Sequence, residues 1–351
     1  MATTLSQQWA RALQRRRWSG RLLALGALVL VPSLVGTVLR VAPPRDDATA
    51  LLASFIPYAT LGHAVALLCG LAALVVAGPA AGRRWRLGVL AATAAAALLL
   101  TCHLAWLAPL FRPGDWPAEP DRFVLLSQNL LLGRADPDEL TALAARADVV
   151  VLAETTPDAL LALGGRGWTK RFPYSTGAGP DPGADTAVYS RFPLTSTELV
   201  PTPIPADGSG LRGSFAQRIA TVAVPGVGEV RLMPVHPCNP YCGGGLWAAQ
   251  HAAISDLVEA EADLPLVMAG DFNAVDDHGP MQDLRRAGLR SATDLAGAGW
   301  LPTYPAGGRL PALLPIDHVL VDDQLTATAI ESVPLAGSDH LGLLATLARA
   351  G

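Results

Sequence analysis

Charged residues are scarce in this chain of 351 residues, at 16% of the total against 51% for hydrophobic ones. The shortage is concentrated near the start. Three stretches, 22–39, 51–77 and 87–110, carry no Asp, Glu, Lys or Arg, and runs of about 18 to 27 apolar residues have the length a bilayer-spanning helix requires. Residues 1–117 therefore read as a membrane anchor with three transmembrane helices. A secretory signal peptide would account for the first run but not for the two that follow it. Cysteine is also sparse, with four in the chain, which excludes a disulfide-dense scaffold. Cys69 and Cys102 lie inside apolar runs, where a buried neutral thiol is the default. No motif recurs at a short fixed period, so a solenoid is excluded as well.

Basic residues set the expected orientation. Arg11, Arg15, Arg16, Arg17 and Arg21 precede the first run, and Arg83, Arg84 and Arg86 separate the second from the third; only Arg40, Arg45 and Arg112 fall on the other side. Eight against three places the N-terminus in the cytoplasm and residues 118–351 outside it, in a multi-pass protein of the cell membrane. The outer part has 15 Lys and Arg against 27 Asp and Glu, a balance of −12, while residues 1–117 stand at +8. Nucleic-acid binding rests on phosphate neutralisation by Lys and Arg, so the acidic balance argues against DNA as the main partner.

Past a Pro-rich linker at 111–120, strand-like and helix-like segments alternate. Asp136-Pro137-Asp138-Glu139 has the capping residue, the proline and the acids of a helix start. Strands are expected near 149–153, 185–190, 217–224, 229–235, 316–321, 325–333 and 341–347. A helix is expected over 246–262. The strands end in an unusual way: Asn129 closes Phe123–Gln128, Glu154 follows Val149–Ala153, His236 follows Val230–Val235, Asp271 and Asn273 end Leu264–Asn273, and Asp339-His340 opens the last run. If one sheet edge collected these tips, the Glu, Asp, Asn and His side chains, with no Cys among them, would suit a hard cation such as Mg²⁺ and an oxyanion substrate.

Ser127-Gln-Asn129, Ala153-Glu154-Thr155, Val235-His236, Gly270-Asp271-Phe272-Asn273, Ile316-Asp317-His318-Val319 and Ser338-Asp339-His340 occur in the order and approximate spacing of the endonuclease/exonuclease/phosphatase superfamily. Over residues 122–347 the chain resembles that superfamily, the deoxyribonuclease I-like fold, and with its anchor it looks like bacterial members such as the VanJ-type proteins linked to glycopeptide resistance. The resemblance implies an α+β, four-layer α/β/β/α sandwich, two packed mixed sheets flanked by helices, in residues 118–351. It implies Glu154 as the principal ligand of Mg²⁺, with Mn²⁺ and Ca²⁺ as alternatives, helped by Asn129 and Asp339. Asp271 would activate water, Asn273 would orient Asp271 and phosphate, His340 paired with Asp317 would donate to phosphoryl oxygens, and His236 would add a second donor. Asp271 and Asn273 are expected to alternate on one strand and share a face. His318 is expected on the opposite face.

One position departs from the family pattern. Many relatives carry Asn or Asp two residues after the first asparagine, where this chain has Leu131, which weakens any case for a second metal there. Arg191 and Arg218 are candidate substrate contacts, although a solvated arginine is the plainer reading of each. Cys238 and Cys242, in His236-Pro-Cys-Asn-Pro-Tyr-Cys242, fit a small disulfide ring in an oxidising compartment; a His/Cys/Cys zinc site lacks an evident fourth ligand. His63, in the second run, reads as a neutral histidine packed between helices. The expected activity is hydrolysis of a phosphate ester or pyrophosphate, most plausibly lipid-linked, at the bilayer surface. The alternatives are an extracellular nuclease, a sphingomyelinase-like phospholipid phosphodiesterase and a non-catalytic binding module. Oligomeric state is not legible.

Overall fold

The computed structural model describes residues 2–78, 81–114, 121–176, 185–200, 217–260 and 263–351. Part of the linker at 111–120 and the end of the helix expected over 246–262 lie outside these residues. The chain divides into two compact units, Met1–Pro43 with Phe55–Ala108, and Pro44–Ser54 with Pro109–Gly351. The stretch 44–54, which the sequence reading leaves within the anchor, thus folds with the C-terminal part.

The first unit is built from α1 (Ala2–Val41), α3 (Ala59–Ala77) and α4 (Arg83–Leu107), with α2 (Asp47–Ala53) between α1 and α3 in the chain but in the other unit. The apolar run 51–77 is not one helix. A 3₁₀ turn at Ile56–Tyr58, with Pro57 in it, interrupts the run, because proline removes a backbone donor and ends regular α geometry. Three helical stretches, Ala10–Val41, Asp47–Ala77 and Arg83–Phe111, are long and apolar enough to cross a membrane. His63 is fully buried, and the Thr37 hydroxyl lies 2.9 Å from its Nε2 and 3.0 Å from Nε2 of His103. Pairing of this kind lets a polar side chain sit within an apolar bundle.

The second unit contains β1 (Arg122–Asn129), α5 (Pro137–Ala144), β2 (Val149–Thr155), α6 (Pro157–Gly164), α7 (Trp168–Arg171), β3 (Tyr174–Ser175), β4 (Asp185–Ser190), β5 (Leu194–Val200), β6 (Gln217–Val224) and β7 (Gly228–Val235). It continues with α8 (Leu246–Ala260), β8 (Leu266–Asp271), α9 (Gly279–Arg286), β9 (Arg290–Ser291), α10 (Ala292–Ala296), β10 (Asp317–Val321), β11 (Leu325–Val333) and β12 (Gly342–Arg349). Asp136 caps α5 by accepting from the amides of Asp138 and Glu139, as the sequence there expects. The strands form two six-stranded sheets, in the orders β11-β12-β1-β2-β4-β3 and β5-β6-β7-β8-β10-β9.

Side-chain alternation explains the layers. Leu125, Val149, Val151, Val222, Leu232, Val267, Ala269 and Val319 meet in one buried cluster between the sheets, whereas their neighbours Leu126, Val150 and Leu152 pack with Leu140 and Leu163 of the helices on one outer face. Met233, Val235, Met268 and Leu320 pack with Trp247, Ile254 and Leu284 on the other. Strands buried on both faces read as unbroken apolar runs, and the result is two packed mixed sheets flanked by helices. Both sheets have a central parallel pair, β1 with β2 and β7 with β8, while β10 runs antiparallel to β8 with Asp317 opposite Asp271. The C-terminal ends of four strands and the start of a fifth therefore reach the same edge.

Candidate active site

Asp271 lies on the inward-facing register of β8 that includes Val267 and Ala269, and His236 continues the inward register of Val230 and Leu232. Glu154 needs a different route, since strict alternation would aim it with Val150 and Leu152 toward the helices. The β2–β4 register shifts between Leu152 and Thr155, and Glu154 has φ +58°. An extra residue in a strand re-aims the side chains that follow it, and here it turns the carboxylate inward. A non-glycine residue with positive φ is strained, and such strain clusters at functional sites.

The groups converge closely. The Asn129 side-chain amide donates to Glu154 Oε1 and to Asp271 Oδ2, both at 3.1 Å. Leu131 and Leu132 also have positive φ; their amides donate to Asn129 Oδ1 at 2.9 Å and to Glu154 Oε2 at 2.7 Å. The Leu131 position thus contributes backbone rather than a side-chain ligand. His236 Nε2 lies 3.6 Å from Glu154 and 3.7 Å from Asp271. Burial pushes its pKa down to about 4 against the pull of Glu154, so it is a neutral ring and these contacts are not ion pairs.

His340 has the opposite character. Nδ1 meets Asp317 Oδ2 at 2.8 Å, and Nε2 lies 3.6 Å from Asp271 Oδ2. Burial opposes its charge, but Asp317 and then Asp271 prevail and raise its pKa to about 10. Burial in turn pushes the Asp271 carboxyl up, with His340 pulling it down. Asp271, Asp317 and His340 offer ligand atoms within 4.8 Å of one another. In this trio Nδ1 of His340 is already taken up by Asp317, which leaves Nε2 facing Asp271. The oxygen-rich side is the better fit for a metal: Glu154 and Asp271 share one amide donor, and Asp339 Oδ1 is buried with no hydrogen-bond partner among the described residues. Glu154, Asp271 and Asp339 thus offer oxygen ligands of the kind a hard divalent ion takes.

Asn273 differs from expectation. β8 ends at Asp271, and Asn273 sits beyond it with φ +47°, its amide donating to Asp271 Oδ1 at 2.8 Å and its side chain to the Pro237 carbonyl at 3.0 Å. It belongs to a turn, not to the alternation of a strand. Arg191 is not brought to the site: it donates to Asp148 at 2.6 Å, and Asp148 precedes β2 while Glu154 lies near its far end. Arg218 is at the correct end, on β6 and in the inward register of Ala220 and Val222, and its Nε is buried without a hydrogen-bond partner among the described residues. Cys238 and Cys242 are joined by a disulfide.

A family model described as the endonuclease/exonuclease/phosphatase family matches residues 126–340. The chain belongs to that family. Solved structures with the same fold include a functionally unknown conserved protein from Enterococcus faecalis V583 (TM-score 0.51, 15% identity, covering 65% of this chain and 100% of that one). An endonuclease/exonuclease/phosphatase family protein from Bacteroides thetaiotaomicron gives a TM-score of 0.51 at 13% identity, covering 65% and 98%. A humanized D. rerio TDP2 gives 0.50 at 18%, covering 65% and 99%. At these identities the likeness is one of fold. No curated protein matches the sequence.

Further groups support this endonuclease/exonuclease/phosphatase site. The buried Thr303 hydroxyl accepts from the amides of Ile316 and Asp317, fixing the partner of His340. The Ser338 hydroxyl donates to the Asn129 carbonyl at 2.7 Å and accepts from the His340 amide at 3.0 Å, tying the Ser-Asp-His loop to β1. The Tyr304 ring packs against the His340 ring at a tilt of 44°, centroids 5.0 Å apart. Three successive carbonyls after Asp271 accept from buried ring N–H groups: Phe272 from His251 at 3.0 Å, Asn273 from Trp247 at 3.0 Å and Ala274 from His318 at 2.8 Å. His318 does face away from the reacting groups, but it holds the turn that presents them.

These buried rings make the fold acid-labile. Burial lowers the pKa of His251 to about 3 and that of His278 to about 4, while the unfolded value is about 6.5. Below pH 6.5 the unfolded chain takes up protons that the folded rings refuse, so stability falls as pH drops from 6.5 toward 4. Linkage gives a loss of about 2 kcal/mol for each ring by pH 5. His340 has the opposite sign, its stabilisation complete below pH 6.5 and lost toward pH 10, and between pH 7 and 5 it offsets less than about 1 kcal/mol. Thermal melts of the full-length protein should therefore show a clear drop from pH 7 to pH 5, and His251→Gln should flatten the slope. An unchanged pH slope in His251→Gln would refute the assignment of a neutral buried ring there.

Proposed function

We propose that the chain is a membrane-tethered, Mg²⁺-dependent phosphohydrolase acting on a phosphate ester or pyrophosphate of a membrane lipid at the outer surface. The observation that carries this reading is the junction of Glu154 and Asp271 on one amide of Asn129, flanked by a neutral His236 and a cationic His340. Glu154, Asn129 and Asp339 would hold the ion, which supplies charge neutralisation at the phosphoryl oxygens. Asp271 accepts the proton of the attacking water, whose oxygen bonds to phosphorus as the bond to the leaving oxygen breaks. Nε2 of His340 donates to the phosphoryl oxygens as charge builds there, with Asp317 holding the ring in register. His236 adds a neutral donor, and Arg218 would contact a further phosphate oxygen.

The lipid part of the reading rests on two facts: three apolar helices share the chain with the site, and the outer part carries a balance of −12. A tether keeps the site at high effective concentration over the bilayer. The anchored layout supports kinship with VanJ-type proteins. The test uses the full-length protein in lipid nanodiscs, offered a lipid pyrophosphate, a choline phospholipid or supercoiled DNA, each with Mg²⁺ and with chelator. Metal-dependent turnover of the lipid pyrophosphate is the expected result. Preferential nicking of DNA would overturn the substrate class in favour of a nuclease, and release of phosphocholine would favour the phosphodiesterase alternative.

A further inference from the structure

We propose that the connection Pro44–Ser54, between the first two apolar helices, is a positioning element of the active site that steadies the Asp271–Asn273 turn through His278 and Trp247. The inference concerns the positioning of site residues and rests on the phosphohydrolase reading above for its catalytic readout.

The segment is anchored at several points from Pro44 to Ala50. The Pro44 carbonyl accepts from the Gly279 amide at 3.2 Å. Arg45 forms two hydrogen bonds with Asp283, one of them at 2.9 Å. Asp47 accepts from the Gly245 amide at 3.0 Å, at the start of α8, and the Ala50 carbonyl meets His278 Nε2 at 2.8 Å. Ala50 is fully buried in the cluster that contains Trp247, Phe272, Ala274 and Met281. α2 itself is set by Asp46, whose side chain accepts from the Thr49 amide.

The path from Ala50 to the reacting groups is short and its proton assignment is determined. Nδ1 of His278 accepts from the Val275 amide at 3.0 Å, so the neutral ring carries its proton on Nε2 and donates to Ala50. The same ring lies edge-on against Trp247, centroids 5.3 Å apart, and Trp247 Nε1 donates to the Asn273 carbonyl. Asn273 is held with positive φ, a backbone state that persists only when its surroundings enforce it. The enforcing groups include a piece of the chain whose two ends continue into α1 and α3. A catalytic domain cut to begin at residue 118 would lack that piece.

The test uses the full-length chain in nanodiscs with Pro44–Ser54 replaced by a Gly/Ser linker of equal length, alongside His278→Ala and His278→Gln. Two readouts are taken: hydrogen exchange of the amides at 271–275, which needs no substrate, and kcat and KM for phosphoester hydrolysis. The linker variant and His278→Ala should speed exchange by at least about 10-fold and lower kcat by about 10- to 100-fold with KM within about twofold. His278→Gln, which keeps a donor toward Ala50, should recover part of both. If wild-type protein hydrolyses none of the phosphate substrates, the functional reading fails while exchange still decides this proposal. A linker variant that does not fold leaves the decision to the two His278 substitutions. Wild-type exchange and wild-type kcat in the folded variants would overturn it.

Discussion

Asp271→Asn is expected to lower kcat for phosphoester hydrolysis by roughly 10³-fold, the scale of losing a positioned general base. The substitution preserves shape and an acceptor for the Asn273 amide, which now bonds Oδ1 at 2.8 Å. It removes the group able to take a proton from water. It also removes one of the three carboxylates, with Asp317 and Asp339, that raise the pKa of His340, so the imidazole pKa should fall, which NMR titration reads without substrate. Nearly normal kcat would show that Asp271 is not the base, and an unshifted His340 would show that the two groups do not interact as their 3.6 Å separation implies.

Gly270→Ala should be as damaging, for a reason of packing. Gly270 has φ +149°, and a Cβ there would lie 2.0 Å from the Val235 carbonyl oxygen. Val235 and Gly270 are directly paired in the parallel β7–β8 ladder, so the clash is backbone against backbone and no side chain can swing away. Overpacking a well-filled core usually costs about 1–3 kcal/mol; with positive φ added, a loss of about 4 kcal/mol is expected. The same close approach brings His236 to 3.7 Å from Asp271, so a folded variant should also lose activity. Gly164→Ala, where the added Cβ meets nothing within 4 Å, is the matched control. Equal melting temperatures for the two variants would contradict the account.

The strand ends were legible because buried parallel strands are continuous apolar runs, and a polar residue that stops such a run stands out. Asn129, His236 and Asp271 are read that way, whereas the pairing of Asp317 with His340 follows only from the family resemblance. The re-aiming of Glu154 could not, since a register shift within β2 leaves no mark in residue type. Position alone misleads for Arg191: it follows a strand as the site residues do, but β4 is antiparallel to β2 and delivers it to the other end. The role of 44–54 was hidden by composition. Leu51 and Leu52 merge into the apolar run 51–77, and only the packing of Ala50 and Ala53 shows that this turn of helix belongs to the second unit. Thr303, Trp247 and His251 act through hydrogen bonds to backbone atoms distant in sequence, which no local pattern encodes.

The central claim is that Glu154 and its neighbours form one buried, electron-rich pocket for a divalent ion. Titration of the full-length protein with Mn²⁺, followed by electron paramagnetic resonance, tests it directly and needs no substrate. Wild-type protein should bind the ion, and Glu154→Ala should weaken binding by at least about 100-fold, since even supporting groups beyond the direct ligands are worth 10–100-fold. Equal affinity in the two proteins would contradict the account.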